Sequence, residues 1–259
     1  MNVLVLGDIF GRPGRRVVAQ HLPQLKEAFE PELIVANGEN AAGGFGLTKK
    51  VAEELFSLGI HVLTSGNHIW DQKEMYTYIG EEPRILRPAN YPPGVPGSSV
   101  FIHRSERASV AVLNLMGRVF MADYDCPFRK ADQLLQELPK DVTHVIVDFH
   151  AEATSEKIAF ARYLDGRVSA VLGTHTHVAT ADQQILPKGT AYVTDLGMCG
   201  PVHGILGVEP DVVINKFLTQ LPGRFAVAKG PAFLNGVAIT LKNGGAAEEI
   251  VRLHFKNFS

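Results

Sequence analysis

The sequence predicts an α/β fold, a four-layer αββα sandwich of two mixed sheets with the helices outside. Strand-length apolar runs alternate with helical segments in the first part of the chain, which is typical of parallel βαβ units. The last third is mostly strands, which favours antiparallel pairing and a second sheet packed face to face with the first. No linker of disordered composition and no internal repeat interrupts the 259 residues. We therefore expect a single domain over residues 1–259.

The first part of the chain reads as strand, helix, strand, helix, strand. A strand over 3–7 precedes a helix that opens near Pro13, since proline suits the first turn of a helix, and that stops at Pro31. A strand over 32–36 leads through the glycine-rich loop 43–46 to a second helix, which Thr48 caps and Gly59 closes. A strand over 61–65 completes this unit and predicts a parallel sheet.

The rest of the chain is less regular. Four prolines make 88–97 an irregular connection, 99–103 and 109–114 read as a hairpin pair, and 116–128 reads as a long loop. We expect helices near 129–138, 154–164 and 211–219. We expect strands at 143–149, 168–172, 182–186, 190–195, 224–229, 234–242 and 248–256.

Composition excludes several classes of protein. The formal charge of -2 argues against bulk electrostatic binding to nucleic acid or membrane, although a local basic groove stays open. Arg12, Arg15 and Arg16 either face a phosphate or begin a solvated helix, and the second interpretation is favoured. Cys126 and Cys199 are too few for a disulfide framework and indicate free thiols in a reducing compartment. The first residues lack the features of a signal peptide and no apolar run reaches 18 residues, so we expect a cytoplasmic protein without a membrane span.

Five apolar runs end in side chains that can bind metal. In open α/β sheets ligands bind outside the carboxyl ends of the strands, so these side chains are expected to meet along one edge. Their number exceeds what one ion needs and suits two. The candidates are Asp8, Glu39, Asn40, Asn67, His68, His150, His175 and His177.

Each candidate has a structural alternative when taken alone. Asp8 could cap a helix, Asn67 and His68 could belong to a turn, and His150 could be a satisfied core residue. The pair His175 and His177 could arise by chance. None of these alternatives explains why the same predicted edge carries all of them.

The order of these side chains resembles the calcineurin-like metallophosphoesterase superfamily over residues 8–177. Two departures stand out. The histidine usually found two residues after the first aspartate is Phe10 here, and the usual bridging aspartate is Glu39, which leaves Asn40 as the candidate for the vacated ligand position. A third variation is Thr174, which precedes His175 in Gly173-Thr174-His175-Thr176-His177. Together these variations resemble the YmdB-like bacterial branch, whose members are regarded as cyclic-nucleotide phosphodiesterases.

The resemblance implies a binuclear centre that hydrolyses 2′,3′- or 3′,5′-cyclic nucleotides through a metal-bridged hydroxide. Glu39 would bridge the ions, and His68 would stay off them and donate a proton to the leaving oxygen. Imidazole, amide and carboxylate donors favour two divalent or mixed-valence ions, iron or manganese, with zinc as an alternative. By position, the first ion would bind Asp8, Glu39, Asn40 and His177, and the second Glu39, Asn67, His150 and His175.

Other functions stay open at this level. The same residues suit a phosphomonoesterase such as a phosphoprotein phosphatase. The missing histidine leaves room for a regulatory RNA-binding protein with a structural metal site, whereas the order of motifs disfavours a metal amidohydrolase. Phe45, Phe120 and Tyr124 either stack on a base or anchor their loops. The physiological substrate and assembly into a homo-oligomer are not determined by the sequence.

Overall fold

The computed structural model describes residues 1–257, which form six helices and thirteen strands. The helices are α1 (Gly11–Phe29), α2 (Lys49–Ser57), α3 (Met75–Glu81), α4 (Pro127–Glu137), α5 (Thr154–Leu164) and α6 (Pro210–Thr219). The strands are β1 (Asn2–Leu6), β2 (Asp8–Ile9), β3 (Leu33–Asn37), β4 (Val62–Thr64), β5 (Val100–Arg104), β6 (Ser109–Met116), β7 (His144–His150), β8 (Ala170–Thr174), β9 (Gln184–Ile185), β10 (Ala191–Val193), β11 (Met198–Pro201), β12 (Ala232–Leu241) and β13 (Ala247–Asn257).

The strands form two mixed sheets. The first has seven strands in the order β2-β11-β12-β1-β3-β4, with β13 pairing to β12. Within it β1, β3 and β4 are parallel, and β12 runs antiparallel to β1. The second has the order β5-β6-β7-β8-β10-β9, with a parallel centre and antiparallel strands at both edges.

Three buried layers hold these elements together and confirm the predicted αββα sandwich. Between the sheets, Val5 and Val35 of the first share a cluster with Val112 and Ile146 of the second. On the outer face of the first sheet, α1 and α2 bury apolar stripes that include Leu22. On the outer face of the second sheet, α4 and α5 do the same. Burial of these stripes removes apolar surface from water on both sides of each sheet.

Four elements differ from the sequence prediction, and two of them, the strands β2 and β11, were not expected because they pair over only two residues of each. Helix α3 was not expected, because its seven residues bury only Met75, Tyr78 and Ile79 and give too short a periodic pattern. The strand predicted over 224–229 was wrong, since only Val227 forms a bridge, to Val208. Val208 itself belongs to a tight turn with Ile205, so no extended partner continues the ladder.

The fold brings the carboxyl ends of strands from both sheets to one place. Strands β1, β3 and β4 end on the same side as β7 and β8, and Asn37 at the end of β3 donates to Asp148 of β7 at 3.3 Å.

None of the helices in residues 1–257 is long and apolar enough to cross a membrane. The predicted single domain stays a prediction, and its last two residues, 258 and 259, lie outside the described part of the chain.

Candidate metal centre

Glu39 is the centre of the polar cluster. It follows β3, its side chain is buried, and its Oε1 lies 3.2 Å from His150 Nε2. Its Oε2 accepts the backbone N–H of His68 at 3.1 Å. Burial raises the pKa of Glu39, but the neighbouring His150 outweighs it and holds the pKa at about 2. Glu39 is therefore a carboxylate whose two oxygens face two different parts of the site.

His150 ends β7 and has no exposed surface. Its Nε2 lies 3.0 Å from Asn67 Oδ1 and 3.0 Å from His175 Nδ1. Burial opposes its charged form, yet Glu39 and then Asp8 outweigh burial and raise the pKa of His150 to about 9. Glu39, His150 and His175 offer three ligand atoms that lie within 4.8 Å of one another. The positive charge of protonated His150 therefore compensates the nearby carboxylates of Glu39 and Asp8. A bound cation could compensate the same carboxylates instead.

The turn after β8 carries both histidines of the H-x-H motif with left-handed backbone angles. His175 has a φ of 100° and His177 a φ of 65°, which are uncommon for residues with a Cβ. This turn places both imidazoles in the same site, which an extended strand would not do. Burial, followed by the charge of His150, lowers the pKa of His175 to about 3. Burial also lowers the pKa of His177, so both rings are neutral.

Two hydrogen-bonding arrangements set the orientation of the histidines. His177 donates from Nδ1 to the Leu206 carbonyl at 3.1 Å, which leaves the lone pair of Nε2 directed into the site. His150 Nδ1 lies 3.0 Å from Thr174 Oγ1, and that hydroxyl donates to Asp148 at 2.6 Å. Both arrangements resemble the outer hydrogen bonds that fix metal-binding imidazoles.

Asp8 lies between the two groups of ligands. Its Oδ2 accepts the backbone N–H of His175 at 3.3 Å. Its Oδ1 lies 3.9 Å from both His150 Nδ1 and His177 Nε2, and it is a buried oxygen without a hydrogen-bond donor in the described structure. Burial raises the pKa of Asp8 well above its ordinary value, although His150 opposes this effect.

Asn40, the candidate for the open ligand position, lies between Glu39 and His177. Its amide lies 3.1 Å from Glu39 Oε1 and 3.2 Å from His177 Nε2. Phe10, which replaces the usual histidine, is buried and packs edge-on against His177 with 5.4 Å between ring centroids. The Phe10 ring thus stands beside His177 where the superfamily usually has an imidazole. The Asn40 amide contacts the same histidine through its Nε2.

His68 stands beside the cluster. Its Nδ1 lies 2.8 Å from Asp71 Oδ2, and its side chain is 31% exposed, in contrast to Glu39 and His150. Phe45 packs edge-on against it at 5.3 Å. The structure therefore brings seven of the eight candidates together and leaves the His68 ring at the rim, where a substrate would approach.

Gly66 allows the cluster to close. A Cβ at this position would lie 2.2 Å from the His150 ring and 2.5 Å from Glu39 Oε2. Any larger residue would separate these two side chains, because real Cβ atoms essentially never approach other atoms so closely. The glycine in Gly66-Asn67-His68 therefore has a steric reason.

Several supporting residues were not found from the sequence. Lys157 and Asp195, both buried, form an ion pair at 2.6 Å. Lys157 donates to the Thr174 carbonyl, and Asp195 accepts the Thr176 N–H, so the pair holds the backbone on either side of His175. Asp148 could have been noticed, because it is a carboxylate that follows an apolar run within β7. Lys157 and Asp195 gave no local signal, since their elements meet only in the fold.

Comparison with known proteins agrees with this geometry. A family model described as YmdB-like protein matches residues 4–253. A Bacillus subtilis protein named 2′,3′-cyclic-nucleotide 2′-phosphodiesterase is 49% identical over 241 residues, 93% of this chain and 91% of that protein.

Two solved structures have the same fold over almost the whole chain. A hypothetical protein from Thermus thermophilus aligns with a TM-score of 0.94 and 43% identity over 99% of each chain. A phosphatase from Mycoplasma pneumoniae aligns with a TM-score of 0.93 and 34% identity over 99% of this chain and 93% of its own. The resemblance drawn from the motifs and the expectation of a phosphoesterase enzyme are confirmed. With a match that covers nearly all of its length, the chain belongs to the YmdB-like protein family.

Proposed function

We propose that this protein is a binuclear metal-dependent phosphodiesterase that hydrolyses cyclic nucleotides. The observation that carries the proposal is the set of ligand atoms of Glu39, His150 and His175 within 4.8 Å of one another. The name of the Bacillus relative supports 2′,3′-cyclic nucleotides as the first choice of substrate. The 3′,5′-cyclic esters and phosphomonoesters are the alternatives.

The donor set fits a pair of cations. Asp8 Oδ1 is buried without a donor, an arrangement that costs free energy unless a proton or cation compensates it. The neutral His177 presents Nε2 toward the same space, and a half-turn of the Asn40 amide would direct its oxygen there. Asp8, Asn40 and His177 would hold one ion with Glu39. Asn67, His150 and His175 would hold the other, again with Glu39.

The chemistry of the donors limits the choice of metal. Oxygen and imidazole ligands without a thiolate favour iron or manganese, with zinc as the alternative. Cys199 is buried and donates to the Asn235 carbonyl, and burial raises its pKa to about 12. It therefore stays a thiol and is not part of the proposed site.

The protein residues would divide the work of hydrolysis. When bound, two dications activate the attacking water and neutralise charge on the phosphate. Glu39, whose Oε1 lies near both Asn40 and His150, stands between the two groups of ligands and would set the spacing of the site. His68 is held by Asp71 through Nδ1, which leaves Nε2 for the leaving oxygen. With His68 at the rim beside Phe45, the nucleoside would lie on the side of these two rings.

We predict that His68→Ala lowers kcat by about 10²–10⁴-fold, because the leaving oxygen loses its proton donor. Metal content should stay unchanged, since the ring is outside the ligand cluster. Steady-state kinetics and elemental analysis of the same samples check this. Unchanged turnover at full metal content would remove His68 from the mechanism.

Parallel assays test the choice of substrate. The metal-loaded protein would be assayed with 2′,3′-cyclic AMP, 3′,5′-cyclic AMP, nitrophenyl phosphate and a phosphopeptide. We expect the highest kcat/KM for 2′,3′-cyclic AMP. Preference for either monoester would overturn the proposal in favour of a phosphatase.

A cytoplasmic location, RNA as a ligand and assembly into a homo-oligomer stay predictions.

A further inference from the structure

A cavity of about 610 Å³ lies beside the N-terminal turn of α1 and has no part in the proposed reaction. Its walls come from α1, from Gly43 and from the segment 227–232. Three basic side chains line it, those of Arg12, Arg16 and Lys229, and among residues 1–257 no carboxylate residue does. Its volume is in the range of sites that take small organic ligands.

The three cations have no partner of their own. Within residues 1–257, the side chains of Arg12, Arg16 and Lys229 form no hydrogen bond or ion pair, and all three residues are exposed. Arg15, between the two arginines, differs: it pairs with Glu54 at 3.1 Å and donates to the Ala41 carbonyl. Glu209 is nearby, but it accepts the backbone N–H of Lys229 rather than the ammonium group. Unpaired like charges around one cavity create a positive potential that attracts anions.

Apolar surface separates the cations. Pro13, Val17, Val227 and Ala228 line the same cavity. A simple inorganic anion would leave this surface uncovered, whereas a nucleotide offers both a phosphate and an apolar sugar or base face. The lining therefore suits a phosphate that belongs to a larger organic ligand.

Packed aromatic side chains link the wall of the cavity to the rim of the metal centre. Phe45 lies 5.3 Å from His68 and stacks on Phe225 at 6.3 Å. From Phe225 the chain runs directly to Val227 and Lys229 in the cavity. On the other side, Phe10 packs against His177, and both Phe10 and Val227 approach Gly44. One layer of side chains therefore separates the cavity from the proposed metal ligands.

We propose that this cavity binds the internal phosphodiester of an oligoribonucleotide whose 2′,3′-cyclic end occupies the metal centre. The inference rests on the proposed function and specifies its substrate class. Because His68 would protonate the leaving oxygen, the terminal ribose lies on the His68 side of the phosphorus. Its 5′-phosphate then extends past Phe45 and Phe225 toward Arg12, Arg16 and Lys229. A free mononucleotide offers the same phosphate chemistry and is the competing source.

Kinetics with two substrates test the inference. The metal-loaded wild type, Arg12→Ala/Arg16→Ala and Arg129→Ala/Lys140→Ala would each be assayed with 2′,3′-cyclic AMP and with a hexaribonucleotide that ends in a 2′,3′-cyclic phosphate. The second double variant removes the same charge from exposed residues in and after α4, which covers the other sheet.

We expect the first double variant to raise KM for the hexaribonucleotide about tenfold, with KM for cyclic AMP changed less than twofold. The dependence of log KM on log salt should also lose about 0.7 for each phosphate contact removed. The second double variant should behave like wild type. Equal effects of both double variants, or an unchanged hexaribonucleotide KM, would overturn the inference.

Two further measurements separate the alternatives. If AMP inhibits or activates the wild type and only the first double variant loses that response, with the oligonucleotide KM unchanged, the cavity takes free nucleotides and the substrate assignment is wrong. Fluorescence anisotropy with a labelled hexaribonucleotide ending in a 3′-phosphate measures binding without turnover. Loss of binding in the first double variant supports oligonucleotide binding in the cavity even if no cyclic ester is hydrolysed. Binding by that variant with wild-type affinity contradicts oligonucleotide binding in the cavity.

Discussion

At the scale of single residues, the site is defined by two buried carboxylates, one of which has an oxygen without a partner in the described structure. That oxygen is Asp8 Oδ1, whereas Glu39 has His150, Asn40 and the His68 N–H as partners. In an ordinary core such atoms would be paired, because an unsatisfied buried polar group costs about 1–3 kcal/mol. Two buried carboxylates at one edge support the proposed binding of cations there.

We predict that Glu39→Gln loses one or both ions, because a neutral amide bridges two cations poorly. Elemental analysis after metal loading should fall from two ions per chain to one or none. Glu54→Gln is the matched control, since Glu54 is a partly exposed carboxylate that pairs only with Arg15 on the surface. Retention of two ions by Glu39→Gln would contradict the bridging role.

The candidate ligands could be predicted from the sequence, but the residues that orient them could not. The candidates follow recognisable apolar strands, and their side chains lie together in the structure, while their role as metal ligands stays a prediction. The Leu206 carbonyl that orients His177 could not be predicted, because it depends on how a distant turn folds back. Asn40 was identified only as the candidate for an open position, and its contacts with Glu39 and His177 required the structure.

At the scale of elements, the turn after β8 is the feature that most constrains the site. Its two histidines have left-handed φ angles, which cost free energy on the order of 1–3 kcal/mol each. The pair of Lys157 on α5 and Asp195 after β10 compensates this cost by binding the backbone before and after His175. The geometry of the H-x-H motif thus depends on two elements outside it.

We predict that Lys157→Met weakens metal binding and lowers the free energy of unfolding by about 3–5 kcal/mol, since it leaves Asp195 as an unpaired buried charge. Lys157→Met/Asp195→Asn should recover part of the stability without recovering metal affinity, because Thr174 still lacks its donor. Urea unfolding of the metal-free protein and metal titration measure the two effects separately. Wild-type metal affinity in Lys157→Met would show that the pair has no positioning role.

Elements were predicted well where periodicity was long and poorly where it was short. The strands of the parallel units and α4, α5 and α6 lie near their predicted positions. Helix α3 and the short strands β2 and β11 were missed, and 224–229 was wrongly assigned as a strand. In the second case the residues suit a strand, but a strand also needs an extended partner, and local sequence does not show whether one is present.

At the scale of the whole molecule, the site exists only where the two sheets meet. Asp8, Glu39 and Asn67 come from the first sheet, whereas His150 and His175 come from the second. The buried cluster between the sheets therefore sets the distance between the two groups of ligands. A change in that cluster should affect stability first and the metal centre second.

We predict that Ile146→Ala lowers the free energy of unfolding by about 2–5 kcal/mol, because Ile146 is buried between the sheets and its truncation leaves a cavity. Ile158→Ala on α5 is the matched control: this side chain is 45% exposed, and its change should stay within about 0.5 kcal/mol. Urea unfolding of both variants decides this. Similar losses in the two variants would argue against a tightly packed sheet interface.

The central claim is that two ions share Glu39 at the junction of the sheets. Anomalous diffraction from crystals of the metal-loaded protein, collected at energies that separate iron, manganese and zinc, tests it most directly. The account predicts two peaks per chain about 3.5–4 Å apart, with the Glu39 carboxylate between them. A single peak, or two peaks of which only one contacts Glu39, would contradict it.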